Sequence, residues 1–158
     1  MKLLCLITSC YLLSFTAHTQ LRKNSEVPNF DRISYDGSRV QLKSNKSRVT
    51  IVSFWASWCS PCLKSLEHTI MPLYDQHDRS ELNVIGISND LEEEKWRKTI
   101  EKYNIPWVNI WDEDRSLVKA FQVPAIPTYF LVNQEGNIIN SNVDAKKLKT
   151  VVRKALKN

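Results

Sequence analysis

The sequence predicts an α/β domain with a central mixed β-sheet flanked by helices, and three features carry that expectation. Two near-continuous apolar runs, Val49 to Ala56 with β-branched and aromatic residues and Asn83 to Ser88 with β-branched ones, have the length and content of strands covered on both faces. Each is followed by a segment with helical signals, and the chain closes as strand, turn, strand, helix. With 158 residues, 42% hydrophobic, 25% charged and only three Gly, the composition suits one domain large enough to bury a core. Collagen-like, linker-like and highly charged disordered chains are excluded on the same grounds.

The first 19 residues are read as lying outside that domain. After Lys2, Leu3 to Ala17 carries no charge; it is shorter than the roughly 20 apolar residues of a membrane-spanning helix and suits a signal-peptide core. Ala17 and Thr19 supply small residues for a cut before Gln20. The expected organisation is a signal peptide over 1–19 and a single domain over 20–158, exported to the periplasm or to a membrane face. Ile7-Thr8-Ser9-Cys10 also resembles a lipoprotein cleavage box, so a leader ending before Cys10, with that cysteine as a membrane tether, stays open.

Within the domain, Val27 to Gln41 reads as an opening hairpin around the turn signal Asp36-Gly37. Val49 to Ala56 is the central strand. Leu63, Leu66, Ile70 and Leu73 then recur at helical spacing, and Pro72 should kink or divide that helix because it removes a donor and clashes with the preceding turn. After the second buried strand, Asp90 with Glu93 resembles a capping box that starts a helix reaching about Tyr103. Trp107 to Ile110 is read as a short strand and Ser116 to Phe121 as a short helix. Thr128 to Val132 forms a strand that turns through Asn133 to Gly136 into Asn137 to Ser141, and Asp144 caps a last helix over Ala145 to Leu156.

Removal of the leader takes Cys5 and Cys10 with it and leaves Cys59 and Cys62, three apart. A bridge this local constrains the unfolded chain little, so stability explains the pair poorly. Zinc wants four ligands; there is no second C-x-x-C, and His68 and His77 lack ligand spacing to this one, so no metal is expected. Redox chemistry is the reading that remains, and it needs no dissociable cofactor. At the first turn of a helix, unpaired N–H groups and the dipole favour an anion, which makes Cys59 the attacking thiolate. Cys62, one turn deeper and more shielded, is placed to attack a mixed disulfide and release the product. Pro61 has no donor to lose in a first turn, and Ser60 adds no charge. His68 is read as a helix-surface residue, Trp96, Trp107 and Trp111 as core or groove-edge packing, and Glu92-Glu93-Glu94 as a solvated helix start. The formal charge of +5 is interspersed, without a basic stripe that alternates with aromatics, so no nucleic-acid partner is expected. A monomer is the expected state.

Trp58-Cys59-Ser60-Pro61-Cys62 at the end of the first buried strand, the approach Phe54-Trp55-Ala56-Ser57, and Val123-Pro124-Ala125-Ile126-Pro127-Thr128 together resemble the thioredoxin superfamily over nearly all of the chain past the leader. The exported start, the opening hairpin and the insert from Trp107 to Phe121 ahead of the cis-proline strand resemble its TlpA/ResA-type thiol-disulfide oxidoreductases. The resemblance implies a thioredoxin-like fold and a cis Ile126–Pro127 bond beside the cysteines. It also implies substrate contacts from Trp58, Ile126 and Pro127, with Ser60 and Pro61 supporting the active-site turn. The implied activity is extracytoplasmic reduction of protein disulfides by a Cys59/Cys62 dithiol cycle. Its partners would be disulfide-containing protein substrates and a redox protein that supplies electrons. Oxidase or isomerase activity stays open, as does a non-catalytic binding module. The sequence also departs from its relatives. Ser53, six before Cys59, stands where thioredoxins proper carry a buried acid, Ser65, three after Cys62, stands where TlpA/ResA-like proteins often carry Glu, and Glu67 lies about 200° around a helix from Ser65. The helix proline usual about five residues after the second cysteine is displaced to Pro72. Slower resolution of mixed disulfides is the expected consequence.

Overall fold

The computed structural model describes residues 21–42 and 46–157. The leader, both of its cleavage forms and the Cys10 tether lie outside the described residues. The opening hairpin consists of β1 (Arg32–Ile33) and β2 (Arg39–Val40), with Gly37 at φ +83° in the turn between them. Pairing is confined to the middle of the expected Val27 to Gln41 segment. Val27 instead donates its N–H to the carbonyl of Gly136 at 3.0 Å, and Glu26 bridges Asn137, because the earlier part of the segment runs beside another turn.

Strand β3 (Val49–Trp55) is buried along its whole length and forms the centre of the main sheet. It pairs in parallel with β4 (Leu82–Ser88), which pairs in parallel with the edge strand β5 (Val108–Trp111). On its other side it pairs antiparallel with β6 (Thr128–Asn133), which continues antiparallel into β7 (Ile138–Val143). The predicted insert therefore supplies a strand of the sheet itself, one residue later than the sequence suggested. The hairpin partly shields that edge, since Ser34 bridges Ile110 of β5.

Strand periodicity divides the interior into two cores. Val49, Ile51 and Trp55 project into one layer, with Leu66, Ile70, Trp96 and Leu148 among its members. Val52 and Phe54 project into the other, where Phe54, Phe121 and Phe130 pack edge-on or tilted with centroids 5.2 to 5.9 Å apart.

After β3 come α1 (Ser60–Ser65), a π-helical turn at Leu66–Ile70 and α2 (Met71–Gln76). Pro72 divides the helix as its chemistry requires. It has no N–H for the carbonyl four residues back, and just before it the backbone widens so that the Met71 N–H bonds the Leu66 carbonyl, five residues back. Helix α3 (Glu93–Tyr103) ends where Asn104 adopts φ +47°. Its start corrects the sequence reading: Glu92 is the cap residue, no side chain caps it, and Asp90 is occupied elsewhere. Glu92, Glu93 and Glu94 pair with Lys95, Arg97 and Lys98 on the helix surface. Asp112 caps the short α4 (Ser116–Ala120) through the N–H groups of Leu117 and Val118, at 3.0 and 2.8 Å, and burial raises its carboxyl pKa above the ordinary value. The last helix, α5 (Ala145–Lys157), begins with the Lys147 N–H donating to Asp144 at 3.0 Å. No helix among the described residues is long and apolar enough to cross a membrane.

The Arg39 guanidinium beside Asp31, with further help from Gln41, holds the Asp31 carboxyl down at about 2. A lowered pKa favours the folded hairpin above the unfolded value of 3.8 and loses that contribution as pH falls through about 2. An NMR titration should show the Asp31 carboxyl with a midpoint near 2, moving up toward 3.8 in Arg39→Ala.

Candidate active site

The site is built at the carboxyl end of β3. A turn through Ala56, Ser57 and Trp58 leads to Cys59, whose N–H bonds the Ala56 carbonyl at 3.1 Å. Cys59 is the cap residue of α1: its backbone is extended, with φ −86° and ψ 90°, and its carbonyl accepts from Leu63 N–H at 3.1 Å. Its Sγ accepts from the Cys62 N–H at 3.2 Å. One of the orphan donors of a helix start is therefore directed at this sulfur. Ser60 and Pro61 open the helix, where the proline costs no hydrogen bond. Cys59 and Cys62 are joined as a disulfide, with Cα atoms 5.2 Å apart, inside the range that unstrained bridges use. Both are buried, Cys59 at 5% exposure and Cys62 at 2%, in the order the sequence reading expected.

Trp58, by contrast, is 63% exposed. It borders a groove of about 330 Å³ whose other walls include Arg115, Val118, Val123, Pro124 and Ile126. The Ile126–Pro127 peptide is cis, and both residues are half-buried at the head of β6. The main-chain N–H and carbonyl of Ile126 have no hydrogen-bond partner among the described residues. An extended peptide segment laid along this edge finds a free donor and a free acceptor next to an exposed indole.

The core that holds both cysteines also holds Tyr129. Ser53 and Ser65 are both buried, and Ser53 stands opposite Tyr129 in the β3–β6 register. The Tyr129 hydroxyl and Ser65 Oγ are hydrogen bonded at 2.7 Å, and burial pushes the Tyr129 pKa up to about 12. Glu67 and His68 are exposed on the opposite side of the helix, as their spacing implied. Trp96 and Trp107 are core residues. Trp111 is half-buried and its Nε1 donates to the Asp90 carbonyl at 2.8 Å.

The largest departure from the sequence reading is Asp90. It caps no helix: it is buried, and its carboxylate accepts the Ser57 N–H and the hydroxyls of Ser57 and Ser88. A positional signal for it exists in the sequence: it follows directly on the carboxyl end of a buried parallel strand, the end at which α/β sheets assemble their sites. Arg115, Val118 and Val123 lie on the groove only because of how α4 docks, and no local motif marks them.

A disulfide that starts a helix at the carboxyl end of β3, with a cis-proline at the head of the adjacent strand β6 on a β5-β4-β3-β6-β7 sheet, is the arrangement of a thioredoxin-fold thiol-disulfide oxidoreductase. More specifically, the chain belongs to the Redoxin family, whose sequence profile matches residues 22–156. Among curated relatives, thiol-disulfide oxidoreductase ResA of Bacillus thuringiensis subsp. konkukian is 25% identical over 125 residues, covering 79% of this chain and 72% of that protein. ResA of Bacillus subtilis is 26% identical over 130 residues, covering 82% and 72%. Among solved structures, the thioredoxin domain of a thiol-disulfide oxidoreductase from Bacteroides vulgatus superposes with a TM-score of 0.77 at 26% identity, covering 86% of this chain and 99% of that one.

Ser65→Ala leaves the buried Tyr129 hydroxyl without its partner and should cost about 1–3 kcal/mol in urea unfolding. Tyr129 raises a separate expectation at high pH. Its folded pKa near 12 exceeds the unfolded value of 10, so its contribution to stability is intact below pH 10 and lost as pH rises toward 12. Spectrophotometric titration should show one tyrosinate appearing near 12 that is missing in Tyr129→Phe.

Proposed function

We propose that this chain is an extracytoplasmic reductant of protein disulfides. The observation that carries the reading is the Cys62 N–H directed at Cys59 Sγ, with Trp58, the residue just before Cys59, exposed on a groove that Ile126 also lines. In the reduced protein that N–H and the start of α1 favour the Cys59 thiolate. An extended substrate segment docks on Trp58 and pairs with the backbone at Ile126, next to Pro127. The Cys59 thiolate attacks one sulfur of the substrate disulfide, an S–S bond forms between Cys59 and substrate, and the other substrate sulfur leaves as a thiolate. The Cys62 thiol then loses its proton to solvent or to the leaving thiolate and attacks Cys59 Sγ. The mixed disulfide breaks, the Cys59–Cys62 bond forms, and the second substrate sulfur is released. Two electrons have passed from the dithiol to the substrate, and a redox protein must return two to begin another cycle. The neutral Ser53, Ser65 and Tyr129 layer offers Cys62 no carboxylate as proton acceptor, which supports solvent in that role and a slow second step. The charge-free run at residues 3–17 supports export, and Cys10 offers a lipid-linked form of the same enzyme.

Cys62→Ser should accumulate a mixed disulfide with insulin through Cys59, visible on a non-reducing gel and reversed by dithiothreitol, whereas Cys59→Ser should form none. A Cys62→Ser protein that forms no adduct overturns the catalytic reading in favour of a binding module. Trp58→Ala should lower kcat/KM for insulin reduction about tenfold, the loss of an apolar anchor worth about 1.4 kcal/mol.

A further inference from the structure

Because β3 and β4 are parallel and Trp55 stands opposite Ser88, the segments leaving both strands emerge at the same end of the sheet. One segment runs Ala56-Ser57-Trp58-Cys59 and the other Asn89-Asp90. Asp90 is 3% exposed. Its carboxylate accepts the Ser57 N–H at 3.2 and 3.0 Å, the Ser57 hydroxyl at 2.6 Å and the Ser88 hydroxyl at 2.7 Å. Its own N–H donates to Ser88 Oγ at 3.0 Å, and its carbonyl accepts from Trp111 Nε1 at 2.8 Å. It therefore ties together the active-site turn, the end of β4 and the edge strand β5.

Every donor to this carboxylate is neutral. None of the ion pairs among the described residues includes Asp90; Lys95, a cation whose charge it favours, is exposed and paired with Glu92 at 2.6 Å, and Arg115 lines the adjoining groove with Trp58 and Asn89. Hydrogen bonds from neutral groups hold a carboxylate in place without cancelling its charge. A buried negative charge thus stands against a residue two positions before Cys59. A like charge disfavours ionisation of a neighbouring group, and burial keeps this one from full solvent screening.

We propose that Asp90 is a positioning residue for the dithiol that also sets its redox direction: it clamps the Ser57–Trp58 turn so that Cys59 begins α1, and its negative charge opposes the Cys59 thiolate. The two influences on Cys59 oppose each other. The helix start and the Cys62 N–H stabilise the thiolate, and Asp90 limits that stabilisation. A dithiol whose thiolate is strongly stabilised is a poor electron donor, because its reduced form is favoured. By holding the thiolate back, Asp90 favours the protein's own disulfide and so favours transfer of electrons to the substrate. The inference deepens the proposed function and rests on Cys59 being the attacking sulfur.

The test is the Cys59 thiol pKa in the full chain, taken from iodoacetamide alkylation rates against pH. The reaction is read on the Cys59 peptide by mass spectrometry, so that Cys5 and Cys10 do not contribute. Asp90→Asn keeps the shape and removes the charge; it should lower the pKa by about half a unit to one unit, which is about three- to tenfold more thiolate below the pKa. The equilibrium with glutathione should shift toward the reduced dithiol in the same variant. Ser57→Ala keeps the charge and removes one donor from it, and should raise the Cys59 pKa. A clamp with no electrostatic role loosens the turn in both variants and moves the pKa upward or not at all. An unchanged or raised pKa in Asp90→Asn therefore overturns the proposal, as does a lowered one in Ser57→Ala. If Asp90→Asn does not fold, the smaller Asp90→Ser gives the same reading with the same expected sign. Cys62→Ser trapping tests the enzyme reading separately: adducts together with an unmoved Cys59 pKa in Asp90→Asn remove this inference and leave that reading intact.

Discussion

Burial of β3 on both faces is the constraint on which the site depends. A strand packed against Leu66 and Trp96 on one side and Phe121 and Phe130 on the other cannot slide by a residue without moving every side chain to the opposite layer. Its carboxyl end is therefore fixed, and with it the turn that brings Cys59 to the start of α1. Parallel pairing brings Ser88, Asn89 and Asp90 to the same end, and antiparallel pairing with β6 brings the Ile126–Pro127 peptide there from the other side. Three segments far apart in sequence thus converge on the disulfide because of a single strand's register.

The chemistry of the site follows from what surrounds the two sulfurs. Beside the active-site turn there is a buried carboxylate; on the α1 side of the sheet the Tyr129 and Ser65 hydroxyls are buried and hydrogen bonded to each other. The resemblance to the TlpA/ResA-type proteins implied an acid at the position of Ser65. Here Ser65 and Tyr129 satisfy one another, and the tyrosine keeps its proton until about pH 12, so the pair neither accepts a proton nor adds charge at neutral pH. Burying a neutral hydroxyl pair costs far less than burying an ion, which suits a layer otherwise made of aliphatic and aromatic side chains.

Features that follow from one local rule were legible in the sequence. The apolar runs gave β3 and β4, Asp36-Gly37 gave the hairpin turn, and Trp58-Cys59-Ser60-Pro61-Cys62 directly after a buried strand marked the redox pair. Pro72 announced a disturbance, although a π turn that keeps the helix continuous was not specified by the proline alone. Asp90 was misread because an acid three residues ahead of a glutamate looks the same in sequence whether it caps a helix or turns back into the protein. The choice is made by the Ser57 N–H and hydroxyl, 33 residues away. The groove walls at Arg115, Val118 and Val123 were invisible for the same reason, since only the docking of α4, capped by the buried Asp112, brings them opposite Trp58. Tertiary placement decides such residues, and pattern within a window does not.

The direction of electron flow is the central claim, and the reduction potential of the Cys59–Cys62 couple, equilibrated against glutathione, tests it most directly. A reductant of protein disulfides should give a value more negative than about −220 mV, on the reducing side near thioredoxin's roughly −270 mV. A value near −120 mV, the range of a dedicated disulfide donor, contradicts it.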